Sequence, residues 1–261
     1  MEERKYYPGM RLYTYNPKLF DALDDLKEAI RDNDLGKAEK KLAVLEAGLD
    51  LTNFYNLQVV EGFRHIILYR KSSGDKKEIC TTLFLLLYST LPNEGVIGDT
   101  ILSEIEAEIL IQMALAKEEH GYREDGIGIL DGVLNAYEKE RVMMTRVKSE
   151  IYMWAVDNLI GMLGRNGEYD TAAKVADEAC RIAYKNDAAD YLVSYLYKKL
   201  QMEEQVKLRK GERFKERKKH FYEEGKSVYA LAKLYKFDEI MKNLNEHGKR
   251  IYQVDFEEYF K

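Results

Sequence analysis

Apolar residues recur every three to four positions along most of this chain, which is the spacing of one face of an α-helix. Near the start two such stripes follow each other, namely Leu19, Leu23, Leu26 and Ile30, and then Ala38, Leu42 and Leu45. Asp34 stands just before the second stripe, where its side chain can cap the helix. The pattern therefore predicts a pair of helices that pack their apolar faces together.

The same paired arrangement repeats along the chain. Turn-forming residues separate the two helices of each pair at residues 33–35, 73–75, 121–122, 167–169 and 211–214. Counted from residues 33, 74, 121, 167 and 211, successive turns are 41, 47, 46 and 44 residues apart. This period suits two helices of roughly 16 to 20 residues and two short turns. We predict an all-α fold, an α-solenoid of about five helical hairpins with a C-terminal capping helix, which makes about eleven helices and no sheet.

Several single residues mark where these helices begin and end. Pro92 should end the fourth helix, because proline cannot continue one. Ser103 and Glu106 have the spacing of a capping box, so the fifth helix should begin there. Asp187 should cap the ninth helix, and Asp238 should start the short final one.

The turn at residues 167–169 is the clearest of the five. The matching positions around it are Asn158, Leu159, Gly167, Tyr169, Ala172 and Ala179. They resemble the tetratricopeptide repeat consensus, in which small residues let two antiparallel helices approach closely. A similar set occurs at Asn33, Asp34, Leu35, Ala38 and Leu45. The hairpins are therefore expected to be tetratricopeptide-like.

A longer resemblance covers nearly the whole chain from about Asp21. It is carried by residues 34–39, 68–71, 90–92 and 121–124. These segments are similar to the C-terminal region of the Rgg/PlcR-like (XRE-type) helix-turn-helix transcriptional regulators of Firmicutes. The resemblance implies a tetratricopeptide sensor region that dimerises and binds a short signalling peptide on its concave face.

The chain departs from that family at its start. Residues 1–20 are too few for a helix-turn-helix domain, so we expect the DNA-binding module to be absent and DNA to be reached only through it. The chain is then either a sensor fragment or a stand-alone relative. We expect an N-terminal extension or linker over residues 1–18, the repeat domain over 19–251 and a C-terminal tail over 252–261.

Composition narrows the class of protein further. The chain has 261 residues, of which 46% are hydrophobic and 33% charged, and a formal net charge of −5. The first twenty residues lack the apolar core of a secretory signal, and no apolar run is long enough to cross a bilayer. Cys80 and Cys180 form no CxxC motif and are read as reduced, buried thiols. A cytoplasmic protein is expected.

One segment, from Lys207 to His220, is strongly basic. Its eight Lys and Arg residues against two Glu residues give +6, which leaves −11 for the rest of the chain. Several of these cations fall in a first helical turn, where the helix dipole disfavours them. Possible anion contacts are Arg213, Lys215, Lys218 and Lys219. A solvated hairpin tip, or one that pairs with an acidic surface of a second subunit, is the favoured interpretation, and nucleic-acid contact is the alternative.

The sequence shows no catalytic or metal-binding motif. Carboxylate pairs are so frequent that they read as solvated helix faces. The four histidines are far apart and form neither HxxxH nor HExxH, and no phosphate-binding glycine motif occurs. We therefore expect a protein that is not an enzyme and that needs no cofactor and no metal.

A concave groove would be lined by the first helix of each hairpin. Polar side chains on those helices that can hydrogen-bond a peptide main chain are Asn56, Arg64, Gln112, Asp157, Asn158, Arg165, Tyr195 and Lys199. Each of them can also be ordinary helix surface or an inter-helix hydrogen bond. The main hypothesis is a regulatory sensor that binds a short peptide or protein segment in this groove.

Two other functions stay open, a structural protein–protein adaptor with no sensing role and weak nucleic-acid contact through residues 207–220. A homodimer is expected as well, because the last third of the chain is rich in tyrosine. These residues are Tyr222, Tyr229, Tyr235, Tyr252 and Tyr259.

Overall fold

The computed structural model describes residues 12–72, 75–90, 97–98, 102–139, 146–185 and 188–259. The α-helices are α1 (Pro17–Arg31), α2 (Leu35–Gly48), α3 (Phe54–Arg70), α4 (Lys76–Tyr88), α5 (Glu104–Glu119), α6 (Arg123–Lys139), α7 (Arg146–Asn166), α8 (Tyr169–Lys185), α9 (Ala189–Arg209), α10 (Phe214–Tyr235), α11 (Asp238–His247) and α12 (Phe256–Tyr259). A π-helical turn, Gly248–Tyr252, follows α11. No strand occurs within these ranges. The predicted all-α fold is confirmed, with one short helix more than expected.

The turns between paired helices are built around residues in the left-handed backbone conformation. Their φ angles are 58° at Asn33, 54° at Ser72, 86° at Gly121, 82° at Gly167 and 71° at Gly211. At the fourth turn the N–H group of Glu168 donates to the carbonyl oxygen of Leu163 at 2.9 Å, which is the bond of a Schellman motif. Glycine suits these positions because it has no Cβ to clash. The predicted turns are confirmed, although residues 73–74 lie outside the described ranges.

Side-chain caps start several helices where the sequence predicts them. Ser103 and Glu106 form the predicted capping box, with the Ser103 N–H group donating to Glu106 Oε2 at 2.8 Å. The Asp34 carboxylate accepts from the Lys37 N–H group at 3.0 Å. Asp238 is the first residue of α11. The boundary signals at Pro92 and Asp187 lie outside the described residues.

The chain divides into two compact units, with the boundary between Ile151 and Tyr152 inside α7. In unit 1, α1 packs on α2, α2 on α3, α3 on α4 and α5 on α6, and α3 also contacts α5. In unit 2, α8 packs on α9, α9 on α10 and α10 on α11, and α9 also contacts α11. Within each unit the helices thus pack in consecutive pairs, as a helical repeat requires.

Helix α5 occupies the centre of unit 1. Eleven of its 16 residues are buried, so it has no broad solvent-exposed face. It lies close to α3, because a Cβ atom at Gly62 would be only 3.1 Å from the side chains of Ile105 and Ile109. Its buried residues include the polar side chains of Glu108 and Gln112. A polar stripe is therefore enclosed within this unit.

Unit 2 is closed by an aromatic core. Its buried members are Leu200, Phe221, Val228, Tyr229, Leu244, Tyr252, Val254 and Phe256. Three of them, Tyr252, Val254 and Phe256, belong to the segment predicted as a tail, residues 252–261, and pack into this core. Gln253 adopts a φ angle of 55°, and the N–H group of Val254 donates to the carbonyl oxygen of Gly248 at 3.1 Å. This turn brings the apolar residues of the segment back onto α10.

Candidate ligand-binding site

Charged side chains from four helices meet in unit 1 and form what we call the charge cluster. Its members are Lys27 and Arg31 on α1, Arg70 on α3, Glu104, Glu108 and Gln112 on α5, and Glu150 in the part of α7 that belongs to unit 1. On α1 and α5 these residues are spaced four apart, which puts them on one side of each helix. The first helices of successive hairpins supply every member.

The cluster contains one buried and one half-exposed ion pair. Lys27 Nζ lies 2.6 Å from Glu104 Oε1, and their side chains are only 9% and 11% exposed. Arg31 Nη1 lies 3.0 Å from Glu150 Oε2, and these side chains are 37% and 32% exposed. Removing one partner of a buried pair costs about 3–5 kcal/mol, whereas an exposed pair contributes about 0–1 kcal/mol. A ligand could therefore replace Glu150 as the partner of Arg31 at a low cost in stability.

Arg70 links the two sides of the cluster. Its Nη1 group donates to the carbonyl oxygen of Ile30 near the C-terminal end of α1, where the helix dipole favours a positive charge. Its Nε group donates to Gln112 Oε1 at 3.3 Å. The guanidinium group is thereby held beside α5 with its charge facing Glu108.

Glu108 is buried close to the cations of the cluster. It is 7% exposed, and its carboxyl group forms no hydrogen bond with any residue in the described ranges. Burial raises its pKa; Lys27, Arg31 and Arg70 oppose this shift, while Glu104 adds to it. The neutral form of the carboxyl group is thus favoured more than in an exposed glutamate.

Of the predicted groove residues in unit 1, only Gln112 belongs to the charge cluster. Asn56 is fully buried, and its amide group bonds the backbone of Tyr13 and the carbonyl oxygen of Asp50. Arg64 pairs with Glu46 at 2.7 Å and with Glu61 at 2.5 Å. Asn56 therefore holds the segment before α1 in place, and we do not include it in the candidate site.

The other five predicted groove residues lie in unit 2, on α7 and α9. Tyr195 is buried, and its hydroxyl group donates to the carbonyl oxygen of Met153 at 2.6 Å, so it is not included either. Asp157 pairs with Lys198 at 2.5 Å. The remaining three are placed as follows: Asn158 donates to the carbonyl oxygen of Trp154, Lys199 pairs with Asp177, and Arg165 is exposed. A single groove lined by all eight residues stays a prediction.

The basic segment 207–220 forms ion pairs both within itself and with acidic neighbours in unit 2. A groove of about 450 Å³ between α8, α9 and α10 contains several of these pairs. The pairs of the segment are Lys207 with Glu212, Lys210 with Asp170, Arg213 with Glu216, Lys219 with Glu223 and His220 with Glu203. Of the four predicted anion contacts, Lys215 and Lys218 have no ion pair within the described ranges. Glu212 and Glu216 are already counted in the +6 of the segment, so only Asp170, Glu203 and Glu223 add negative charge, and the segment stays positive.

Sequence reasoning missed two features of unit 1. One is the charge cluster itself, whose signal was the four-residue spacing of Glu104, Glu108 and Gln112 on the fifth helix. The other is a groove of about 710 Å³ between α4, α5 and α6. Its apolar lining includes Phe84, Leu87, Ile97, Leu110 and Met113. That groove brings together residues from distant parts of the chain, so no local pattern indicated it.

Within the described ranges no group of three or more His, Cys, Asp or Glu residues could hold a metal ion. No helix in the same ranges has the length and apolar character needed to span a bilayer. Cys80 and Cys180 are free thiols. Burial raises the pKa of Cys180 to about 11, which makes its thiolate form scarce and the residue unreactive.

Comparison with known proteins identifies one fold. No protein-family model matches the chain, and no curated protein matches it. Among solved structures the chain is similar to PlcR of Bacillus thuringiensis, crystallised in complex with the peptide PapR7 and DNA. The TM-score is 0.64 at 13% sequence identity, over 88% of this chain and 75% of that chain. The similarity establishes the all-α helical-repeat fold of PlcR and agrees with the resemblance found in the sequence.

Proposed function

We propose that this chain is the regulatory sensor and interaction domain of a bacterial transcriptional regulator, and that it binds a short peptide or protein segment. The observation that carries this proposal is the similarity to PlcR, whose structure contains the peptide PapR7 and DNA. The likeness extends over 88% of this chain. The proposal implies a cytoplasmic protein that acts on DNA through a helix-turn-helix domain.

The charge cluster supports peptide binding in unit 1. Arg31, Arg70 and Gln112 carry guanidinium and amide groups, which can hydrogen-bond a peptide main chain whatever its side chains are. They stand on successive hairpins, each of which packs on its neighbours. A ligand that bridges α1, α3 and α5 would change how these hairpins rotate against each other, and small rotations add along a repeat.

Titration of the purified chain with a library of short hydrophobic peptides tests the proposal. We expect at least one peptide to bind saturably with a Kd on the order of 1 μM, as measured by fluorescence anisotropy. Hydrogen exchange with that peptide present should then slow in α1, α3 and α5. A library without any saturable binder would contradict a peptide sensor.

A structural adaptor is the second candidate, and one observation favours it. The Lys27–Glu104 and Arg31–Glu150 pairs already join α1 to α5 and α7, so the protein's own side chains occupy this face. An adaptor would use outer surfaces and would need no ligand there. A helix-turn-helix reading frame fused to, or directly before, the coding sequence would favour the sensor, and its absence the adaptor.

Nucleic-acid contact through residues 207–220 stays the third candidate, since Lys215 and Lys218 have no ion pair within the described ranges. A filter-binding assay at low salt tests it, since binding through phosphate contacts is strongest there. Retention of nucleic acid by the wild-type chain, and its loss in a Lys215→Gln, Lys218→Gln variant, would support this function.

Self-association stays a prediction. Its sequence-based reason was a surplus of aromatic surface, yet Tyr229 and Tyr252 are buried in the core of unit 2. Leu234 and Tyr235 remain exposed at the end of α10 and leave an apolar patch there. Sedimentation at micromolar concentration should show a dimer, and a Leu234→Glu variant should shift it to monomer.

A further inference from the structure

We propose that the groove between α4, α5 and α6, here called the amphiphile groove, binds a small molecule with an unbranched apolar chain and one carboxylate group, as in a long-chain fatty acid. All its lining residues belong to unit 1, and none is a member of the charge cluster. Its volume of about 710 Å³ is typical of small-molecule sites, which are mostly apolar with a few polar groups that orient the ligand. Neither this site nor its test depends on peptide binding.

The charged residues of the amphiphile groove lie together at one end. Lys77 is at the start of α4, Lys117 is near the end of α5, and Asp125 is in the first turn of α6. The start of α4 lies beside the end of α5, because Lys76 Nζ is 3.1 Å from Glu119 Oε2. Lys117 Nζ lies 3.2 Å from Asp125 Oδ2, which joins the end of α5 to the start of α6. A charged head group would therefore be bound at this end.

The rest of the groove is mainly apolar. From Lys77 to Tyr88 the helix α4 advances about 16 Å, and the rings of Phe84 and Tyr88 stack along it at a centroid distance of 6.1 Å. The apolar lining consists of Phe84, Leu87, Tyr88, Ile97, Leu110, Met113 and Ile129. One charged end and an apolar body match a ligand that has a head group and a chain.

One cation at the charged end is left for a ligand. Lys117 pairs with Asp125, and Lys76 pairs with Glu119. The exposed side chain of Lys77 has neither a hydrogen bond nor an ion pair among the residues that the structure describes. A ligand carboxylate can accept a charge-assisted hydrogen bond from its ammonium group. Charge complementarity thus favours an anionic head group.

A hydrocarbon chain suits the body of the groove better than an extended peptide. The polar residues that line the body are Cys80 and Thr81, and the Thr81 hydroxyl group already donates to the carbonyl oxygen of Lys77 at 2.8 Å. An extended main chain carries an N–H and a C=O group on nearly every residue, and burial without partners is costly for them. A hydrocarbon chain has no such groups. An amphipathic helix satisfies its own main chain, so it is the competing occupant.

Gly128 on α6 leaves room in the amphiphile groove. A Cβ atom at this position would meet no atom of another helix within 4 Å in the described ranges. At Gly62, in the core of the same unit, a Cβ atom would lie 3.1 Å from two isoleucine side chains. A larger side chain at position 128 would therefore occupy the groove without pressing on the core.

Three amphiphiles with chains of equal length test the proposal on the full chain, namely dodecanoate, dodecanol and dodecyltrimethylammonium, each below its critical micelle concentration. We expect calorimetric titration to show saturable binding of dodecanoate with a Kd on the order of 10 μM, and binding of the other two at least about fivefold weaker. Bound dodecanoate should protect Cys80 from a thiol reagent, with the buried Cys180 outside the groove as the control. A helical peptide of Leu and Glu residues tests the competing occupant.

Variants assign the binding to the groove. Gly128→Leu should lower the affinity for dodecanoate at least about tenfold, while its urea midpoint should equal or exceed that of wild type, because glycine weakens a helix interior. Gly36→Leu, at an exposed position on α2, is the matched control. Lys77→Gln should lower the affinity about fivefold and remove the preference for dodecanoate over dodecanol. Lys40→Gln, which alters an exposed lysine on α2 that forms no ion pair in the described ranges, should bind as wild type does.

Several outcomes would overturn this assignment. They are equal binding of the three amphiphiles, binding of dodecanoate that survives Gly128→Leu, and no binding of dodecanoate at all. Binding of the helical peptide alone would make the groove a docking surface for a protein instead. Each of these results leaves the peptide sensor standing, since hydrogen exchange in α1, α3 and α5 tests it separately.

Discussion

Two buried glutamates, one from each unit of the protein, have carboxyl groups whose pKa values shift in opposite directions. Glu108 in unit 1 is 7% exposed and Glu204 in unit 2 is 8% exposed. The pKa of Glu108 is raised above its ordinary value of 4.5, and the pKa of Glu204 is lowered below the same value. The extent of burial alone therefore does not determine the direction in which the pKa of a buried glutamate shifts.

Hydrogen-bond donors make the difference. Burial by itself raises the pKa of Glu204, but hydrogen bonds from His247 and Tyr252 outweigh it. The Tyr252 hydroxyl group lies 2.7 Å from Glu204 Oε1, and His247 Nε2 lies 3.0 Å from the same atom. Glu108 has cations nearby but accepts no such bond in the described ranges. Hydrogen bonds thus stabilise the ionised form of Glu204 in unit 2, whereas burial sets the direction of the pKa shift of Glu108.

The largest effect on stability should come from removing the side chain of Tyr252, whose hydroxyl group donates a hydrogen bond to Glu204. Tyr252 is fully buried, and its ring stacks on Phe221 at a centroid distance of 4.8 Å. We expect Tyr252→Ala to lower the free energy of unfolding by about 3–5 kcal/mol, through a cavity and a lost donor together. Urea unfolding measures this, with Tyr184→Ala at an exposed position on α8 as the control. A loss no greater than that of the control would show that residues 252–256 are dispensable.

A smaller change isolates the hydroxyl group. Tyr252→Phe keeps the ring and removes the donor, which leaves a buried carboxylate with less compensation. We expect the free energy of unfolding to fall by about 1–3 kcal/mol. Tyr184→Phe, which removes an exposed hydroxyl group from α8, should have no effect in the same urea titration. If the two variants were equally stable, the lowered pKa of Glu204 would need another cause.

The two glutamates should also respond to pH with opposite signs. Glu108, with its raised pKa, adds nothing below pH 4.5 and destabilises the fold progressively as the pH rises through that pKa. Glu204, with its lowered pKa, stabilises the fold above pH 4.5, and this contribution is lost as the pH falls through its own pKa. Glu108→Gln should therefore gain about 1 kcal/mol over wild type toward neutral pH.

Glu204→Gln provides the matched measurement on the other unit. It should be less stable than wild type at neutral pH, and the difference should shrink as the solution is acidified below pH 4.5. Urea midpoints recorded from acid to neutral pH for both variants test the comparison directly. Parallel pH profiles in the two variants would mean that both carboxyl groups share one environment.

The smallest effect on stability belongs to the exposed end of the charge cluster. Arg31→Gln breaks a half-exposed ion pair with Glu150, so we expect it to cost no more than about 1 kcal/mol in unfolding. The same substitution should have a clear effect on peptide affinity. A large loss of stability, measured by urea unfolding, would indicate that Arg31 stabilises the fold and does not belong to the ligand site.

The sequence allowed the fold to be predicted because its signals are local. A glycine at position 121, 167 or 211 ends one helix through its own backbone conformation, and the Ser103–Glu106 capping box starts another within four residues. These features do not depend on the rest of the chain. The predicted hairpins therefore agree with the structure even where the repeat consensus is degraded.

The site was harder to predict because it depends on which side of each helix faces its neighbours. Asn56 has the right side chain on the right helix, yet that side faces the segment before α1. The outside partners of the basic segment were also beyond sequence reasoning, because Asp170, which pairs with Lys210, is 40 residues away. Local composition cannot reveal such pairs, and the ones in the charge cluster span still longer separations.

The turn at Gln253 has a practical consequence for anyone who shortens this protein. A minimal fragment that ends at Ile251, where the repeat pattern stops, would lack Tyr252, Val254 and Phe256. Phe221 and Tyr229 would then be exposed to solvent, and this hydrophobic surface would favour aggregation. Residues 252–256 cover the core of unit 2, so truncated variants should retain them.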